Sequence, residues 1–382
     1  MIDLCRNHRR RISMWLIVWF IVCAGSAIAE DRNPGKEVRE LLQAAGLAEA
    51  DAPGSAVAVL HHGQIEFQCA YGVRDLRTRQ KIDAQTNFRL ASVTKQFTAM
   101  AIMLLAHDGR LRYEDRLTDI FPDFPGYGRA ITIRHLLTHT SGLMDYEDLM
   151  PSADPGLPLD KRQIQDAGVM ALLKQQKETM FSPGSRWAYS NSGYVLLGLV
   201  VGKVAGSGFP DFLRERIFAP LGMTNTVVYV KGRNLVRNRA FGHSREGQGW
   251  IETDQSPTSA TLGDGGIYSS LEDLAKWDRA LGQQRLLNAG EMQAALTPVK
   301  AAEVREPDGS PAAYGFGWFL NGYHGQPRMW HYGETIGFRT AIERFPAAKL
   351  TIVVLENRSD PDPARLALRI ADLYLRPTDQ SP

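Results

Sequence analysis

The sequence predicts an α+β fold: one antiparallel β-sheet flanked by the N- and C-terminal helices, with a mostly helical lobe inserted. Three observations predict it. Strand-like alternation sits near both ends of the chain, helical periodicity fills the middle, and no internal repeat or low-complexity linker separates them. With 382 residues, 44% of them hydrophobic and 23% charged, the chain has the composition and length for a large core.

The first residues read as an export signal. Arg6, Arg9, Arg10 and Arg11 precede an apolar run from Met14 to Ala24, and Ala27-Ile28-Ala29 supplies a cleavage site. The expectation is a signal peptide over residues 1–29 and a periplasmic or secreted product. An N-terminal membrane anchor is the alternative, but the apolar run is short for a span. Bulky Ile21 and Val22 ahead of Cys23 disfavour a lipoprotein. Residues 30–382 then form a single catalytic domain, with a sheet lobe about 35–90 and 300–375 and a helical lobe about 91–299. Without the leader, Lys plus Arg falls from 44 to 40 and Asp plus Glu from 42 to 41, a net charge of −1. That is no nucleic-acid footprint. Cys69 remains alone, so no intramolecular disulfide can form.

Within the domain, Glu37 to Leu47 has Val38, Leu41, Leu42 and Ala45 at helical spacing. Ala56–Leu60 and Ile65–Tyr71 alternate as two strands joined by a His62-Gly63 turn. A helix opens at Ser92, with Val93, Phe97, Met100, Leu104 and Leu105 as a one-sided apolar seam and Gly109 as its stop. Thr132 caps a helix over 133–138. Further helices are expected over 160–177, 192–204, Phe209–Phe218 and Leu271–Leu281. Strands follow at Tyr314–Gly322, Arg328–Gly333, Gly337–Phe345 and Leu350–Glu356, with turns at Gly322–Gly325 and Pro346–Lys349. A last helix covers Pro363–Tyr374. The inserted lobe and the sheet would enclose a cleft, and Ser92 stands at their first junction.

Three short stretches carry chemistry. Ser92 and Lys95 lie three apart on one helix face, so the amine can reach the hydroxyl and help take its proton. The helix start offers unpaired N–H groups to an oxyanion. Alone, Ser-x-x-Lys is a weak signal, since a chain this long contains about one by chance. Tyr189 and Asn191 stand two apart in a loop opening a helix. A phenol near cations can have its pKa pulled down and act as a base, and an amide can hold a substrate carbonyl. Taken alone, this pair reads better as an ordinary loop with a buried Tyr and an Asn N-cap. In His331-Tyr332-Gly333-Glu334, at a strand end, His331 and Gly333 face one way and Tyr332 and Glu334 the other. Gly333 would let a substrate approach the backbone, beside the N–H of Glu334.

In this order, Ser92-x-x-Lys95, Tyr189-x-Asn191 and His331-x-Gly333 resemble the penicillin-recognising serine hydrolases. That family contains class C β-lactamases, D-alanyl-D-alanine carboxypeptidases, D-aminopeptidases and esterases. Phe88–Phe97, His135–Leu143, Gly263–Gly266 with Ser269–Leu274, and His331–Phe338 are similar to family segments, spread over roughly residues 35–375. The resemblance implies the β-lactamase/transpeptidase-like fold. It implies that Ser92 is acylated, that Lys95 and Tyr189 share the proton traffic with Tyr189 as general base, and that Asn191 orients the substrate amide. His331 would recognise substrate or assist proton transfer, and the N–H groups of Ser92 and Glu334 would form the oxyanion hole. No metal or cofactor is implied, and the substrate is a small molecule or short peptide. Two departures matter. The middle motif is Tyr-Ser-Asn, which places the chain on the class C side. His331 stands where β-lactamases carry lysine, a permanent cation for the lactam carboxylate, which favours a peptidase or esterase. The alternative is a penicillin-binding sensor, acylated but not turned over.

Other patterns point nowhere further. His135 and His139 have metal-ligand spacing, but no glutamate completes H-E-x-x-H. Gly263-Asp-Gly-Gly266 has no P-loop lysine and reads as a tight loop lining the cleft. His61-His62 is turn polarity, and Asn357-Arg-Ser359 is only a formal glycosylation sequon.

Overall fold

Six antiparallel strands form the central sheet, in the order Gln64–Tyr71, Ser55–His61, Leu350–Glu356, Phe338–Phe345, Gln326–Thr335, Phe319–Tyr323. This computed structural model describes residues 33–151, 156–300, 304–306 and 309–375, and the expected signal peptide lies outside them. The two chain ends meet in mid-sheet, where Ser55 pairs with Glu356 and His61 with Leu350. The hairpin turns are left-handed at both central residues: His62 and Gly63 have φ of 51° and 72°, His324 and Gly325 of 48° and 74°. That is the turn geometry matching the right-handed twist of paired strands.

Period-2 alternation decides what covers each face. Val57, Val59, Ile352 and Val354 pack under the Pro34–Ala44 and Pro363–Leu375 helices, against Val38, Leu42, Leu366 and Ile370. Ala56, Ala58, Leu60, Val353 and Leu355 point the other way, into the core shared with the helical lobe. Each buried Val, Leu or Ile contributes about 1.5–3 kcal/mol.

Four expectations needed correction. The Ser92 helix starts as a 3-10 turn, Ala91–Thr94, and becomes α-helical only over Lys95–His107. It is not one-sided: every residue from Lys95 to Leu105 is buried, because it packs against the Asn191–Ala205 and Phe209–Leu213 helices and, through Phe97, against Trp277 and Phe218. The seam picked out its large residues and overlooked that Ala99, Ala101, Ile102 and Met103 are apolar too. The strand expected from Tyr314 begins at Phe319. Gly317 turns there with φ of 74°, pressed so close to the Lys95 helix that a Cβ would sit 2.8 Å from the Lys95 carbonyl oxygen. Residues 160–177 divide into Leu159–Arg162 and Asp166–Lys174. Phe209–Phe218 is α-helical to Leu213, then widens into a π-turn over Arg214–Phe218.

Several small elements had no sequence counterpart. Ala289–Leu296 is a helix closed by a reciprocal Asn288–Glu291 capping box. Phe88–Arg89, Ile267–Ser269 and Val227–Val228 form a three-stranded sheet, and His243–Glu246 pairs with Gly249–Glu252. Among the described residues no single helix is long and apolar enough to cross a membrane.

Candidate active site

The Phe88–Arg89 strand, held by Ile267–Ser269, feeds the chain into the Ala91–Thr94 turn that carries Ser92. Ala91 is left-handed, with φ of 47°, a conformation costing a non-glycine residue about 1–2 kcal/mol. The turn lies on the sheet directly over Gly333 and Thr340. The Thr340 hydroxyl donates to the Leu90 carbonyl at 2.8 Å. A Cβ on Gly333 would lie 2.1 Å from that same oxygen and 3.2 Å from the Ala91 Cβ. Glycine is therefore required at 333 by the Ser92 turn itself, a demand that the sequence reading, which looked to an approaching substrate, did not include.

Lys95 is fully buried, and its Nζ donates to Ser92 Oγ at 2.9 Å, Asn191 Oδ1 at 2.8 Å and the Asp264 carbonyl at 3.1 Å. These use all three donors of an ammonium. Burial lowers the Lys95 pKa to about 8, while Asp264, Asp145 and Glu147 oppose the fall. At pH 7 about a tenth of the molecules thus carry a neutral amine whose lone pair can face Ser92 Oγ.

Asn191 opens the Asn191–Ala205 helix behind the N-cap Ser190, whose side chain accepts from the Gly193 N–H. Its own N–H donates to Asp145 Oδ2 at 2.6 Å, and its Nδ2 reaches Glu147 Oε1 at 3.5 Å. Tyr189 lies beside Ser92 and Lys95: its ring is 4.8 Å from Lys95 Nζ, and the Ser92 side chain weighs on its titration. Its titration runs opposite to expectation. Part of its surface stays exposed, yet dense packing, the largest influence, raises its pKa well above 10, and Asp264, Asp145 and Glu147 push the same way. Tyr189 is a phenol in the free protein, and Lys95 is the group that titrates near neutrality.

His331 lies behind Tyr189 rather than in the open cleft. It is fully buried, its ring 6.2 Å from that of Tyr189. Nδ1 lies 2.6 Å from the Tyr332 carbonyl and Nε2 3.1 Å from the Tyr314 hydroxyl. Nδ1–H therefore donates to the carbonyl and Nε2 accepts from the phenol. Burial, then Lys95, lowers its pKa to about 3, so the ring is neutral. Glu334 is exposed, with its carboxylate 2.8 Å from Arg339. Its strand has no neighbour beyond Trp330 on the Phe319–Tyr323 side. Ser92, Asn191, Asp264, Glu147, Arg89 and Glu334 line one cleft of about 340 Å3. A larger groove of about 1370 Å3, lined by Arg279, Met292 and Phe345, shares none of its lining residues with that cleft.

Sequence reasoning missed His139. It is 1% exposed and left-handed, with φ of 57°. Its carbonyl accepts from the Ala188 N–H at 2.9 Å and its Nδ1 from the Ser190 N–H at 3.1 Å, on either side of Tyr189. Its ring lies 4.3 Å from the Tyr189 ring. His139 thus clamps the loop that carries Tyr189 and Asn191. His135 instead accepts the Thr132 N–H at 3.2 Å through Nδ1, closing the cap of its own helix. The available signal was the run His135–Leu143 as a whole, not the spacing of its two histidines.

Comparison with known proteins shows the family. The Beta-lactamase family model matches residues 38–375. A penicillin-binding protein of Bacillus subtilis (strain 168) is 31% identical over 343 residues, covering 86% of this chain and 73% of that protein. A D-aminopeptidase of Brucella anthropi is 31% identical over 319 residues, covering 80% of this chain but only 56% of the longer relative. The D-amino acid amidase from Ochrobactrum anthropi SV3, solved with L-phenylalanine amide, superposes with a TM-score of 0.75 at 25% identity, covering 90% of this chain and all of that one. The chain belongs to the β-lactamase family and is an enzyme, a serine hydrolase of that family.

Proposed function

We propose that the protein is an exported hydrolase that cleaves an amide or ester of a small molecule or short peptide through an acyl-enzyme on Ser92. β-Lactams are the poorer substrates. The observation that carries this reading is the 2.9 Å bond between Ser92 Oγ and Lys95 Nζ, in a site where burial brings the amine to about pKa 8. Neutral Lys95 takes the Ser92 proton as Oγ adds to the substrate carbonyl. The N–H groups of Ser92 and Glu334 receive the oxyanion. Tyr189, beside Ser92 and Lys95, passes a proton to the leaving amine or alcohol and is refilled from the Lys95 ammonium. Water then attacks the ester, gives its proton back through the same pair, and Ser92 leaves as the hydroxyl. Asn191 spends its oxygen on Lys95 and, with one Nδ2 hydrogen toward Glu147, offers the other to the substrate carbonyl.

A neutral, buried His331 supplies no cation for a lactam carboxylate, which supports a peptidase or esterase. The D-aminopeptidase and D-amino acid amidase among the relatives support amides of D-amino acids as the first substrates to try. Export rests on the basic and apolar pattern of residues 1–29.

Ser92→Ala should abolish covalent labelling by a fluorescent penicillin or fluorophosphonate; labelling that persists places the nucleophile elsewhere. D-amino acid amides, D-Ala-D-Ala peptides, short-chain esters and a cephalosporin should then be compared with purified protein. Steady turnover is expected on one of the first three, whereas a stoichiometric burst on every substrate marks an acylated sensor.

A further inference from the structure

We propose that Arg89 is the binding site for a carboxylate carried by the substrate that occupies the Ser92 cleft. Arg89 precedes the nucleophile by three residues and is only 3% exposed. Its Nη2 donates to the Ser259 carbonyl at 3.0 Å, while Nε and Nη1 are buried without a partner. The contrast with the other most deeply buried arginines is sharp. Arg328 lies 2.8 Å from Glu306 and 3.7 Å from Glu343, and Arg358 lies 2.6 Å from Asp360. Arg89 has no carboxylate within 4.0 Å among the described residues. A guanidinium stays charged at any pH at which the protein is folded. Burying one without a counter-charge carries a large desolvation cost, which an arriving anion offsets.

Place and shape narrow the ligand. Arg89 lines the same cleft as Ser92, Asn191 and Thr335. Three residues span at most about 11 Å between Cα atoms, so an anion on Arg89 and a carbonyl at Ser92 belong to one small molecule. Nη2 keeps a second hydrogen beyond the one given to Ser259. One edge of the fork, the one that holds the remaining Nη2 hydrogen beside Nε or beside Nη1, then offers two parallel donors, the match for a carboxylate. Of the acidic groups lining the cleft, Glu334 pairs with Arg339, Asp264 accepts the Tyr146 hydroxyl through Oδ2 at 3.1 Å and leaves Oδ1 without a hydrogen bond, and Glu147 lies beside Asn191; none of them lies within 4.0 Å of Arg89. The two free donors are shielded from bulk solvent, so the anion enters as the Thr258–Ser259 loop shifts off the guanidinium.

This assignment rests on the Ser92 reading, and the experiment separates the two. Paired esters are compared by kcat/KM: one with a carboxylate on the acyl side, one with it on the leaving group, each against its neutral methyl-ester isostere. Wild type should favour the charged member at least tenfold in one arm, and that arm says which side of the scissile bond faces Arg89. Arg89→Gln should reduce the charged-to-neutral ratio by about 10- to 100-fold, the range for loss of a charged hydrogen-bonded pair. Arg89→Lys, which keeps the charge without the fork, should fall between. A wild-type ratio of one or less in both arms overturns the proposal even if Arg89→Gln fails to fold, and so does an unchanged ratio in a folded Arg89→Gln. Turnover of the neutral esters reports on Ser92 separately.

Discussion

Asp264→Asn tests which group takes the proton from Ser92. Asp264 is the foremost of three carboxylates that hold the buried Lys95 ammonium up against desolvation, with Asp145 and Glu147 behind it. If neutral Lys95 is the base, kcat/KM for a neutral ester rises about tenfold per pH unit and levels off near pH 8. A nearby opposite charge shifts a pKa by about 1–3 units, and one carboxylate of three should account for the low end. The limb should therefore move from about 8 toward about 7 in the variant. At pH 6 a base of pKa 8 is about 1% neutral and one of pKa 7 about 10%, so activity relative to the plateau should rise about tenfold. Asparagine still accepts from the Tyr146 hydroxyl, so the local hydrogen bond survives. The assay is steady-state kcat/KM from pH 5.5 to 9.5. A limb that stays in place, or moves to higher pH, refutes Lys95 as the titrating base.

Three further outcomes follow from the packing. Gly333→Ala drives a Cβ to 2.1 Å from the Leu90 carbonyl and should cost about 1–3 kcal/mol, seen as a lower Tm, with acylation slowed because the Ser92 turn must move. His139→Asn keeps an acceptor near the Nδ1 position and tolerates a left-handed backbone, so it should retain most of kcat, whereas His139→Leu should lose at least tenfold in kcat with a smaller change in KM; equal losses in the two variants would deny the clamp. Glu343 is fully buried, with Arg328 3.7 Å away but no hydrogen bond to either carboxylate oxygen, and burial raises its pKa to about 8 against the pull of Arg328. The native state therefore holds a proton that the unfolded chain releases near pH 4.5, and the stability so gained is lost as pH rises through about 8. Glu343→Gln should flatten the fall in Tm between pH 5 and 9, and an unaltered slope would show that this carboxyl does not drive it.

Legibility followed the range of the forces involved. Strands Ala56–Leu60 and Leu350–Glu356 were readable because period-2 alternation and left-handed turn residues are local. The pairing of Phe88–Arg89 with Ile267–Ser269 was not, because two-residue strands carry no period and their partners lie far along the chain. Ser92, Lys95, Tyr189 and Asn191 were legible as short spaced motifs, and the structure gathers them around Lys95, which hydrogen-bonds Ser92 and Asn191 and lies 4.8 Å from the Tyr189 ring. What escaped was depth. Nothing in His331-Tyr332-Gly333 says that the imidazole is sealed behind a tyrosine or that the glycine yields to the chain's own backbone. Tyr189 was misjudged for the same reason: nearby cations were visible in the sequence, while desolvation belongs to the assembled interior.

The mid-sheet pairing of Ser55–His61 with Leu350–Glu356 has a consequence for assembly. These strands are almost three hundred residues apart, so the sheet cannot close until nearly the whole chain is present, and pairings of that separation form late and slowly. The Ala91–Thr94 turn is held on strands that belong to that final closure, at Gly333 and Thr340. Under the mechanism proposed for Ser92, competence for acylation should therefore arrive with the closing of the sheet. A covalent probe added at intervals during refolding would time the completion of the sheet, and a chain cut before residue 350 should label with nothing.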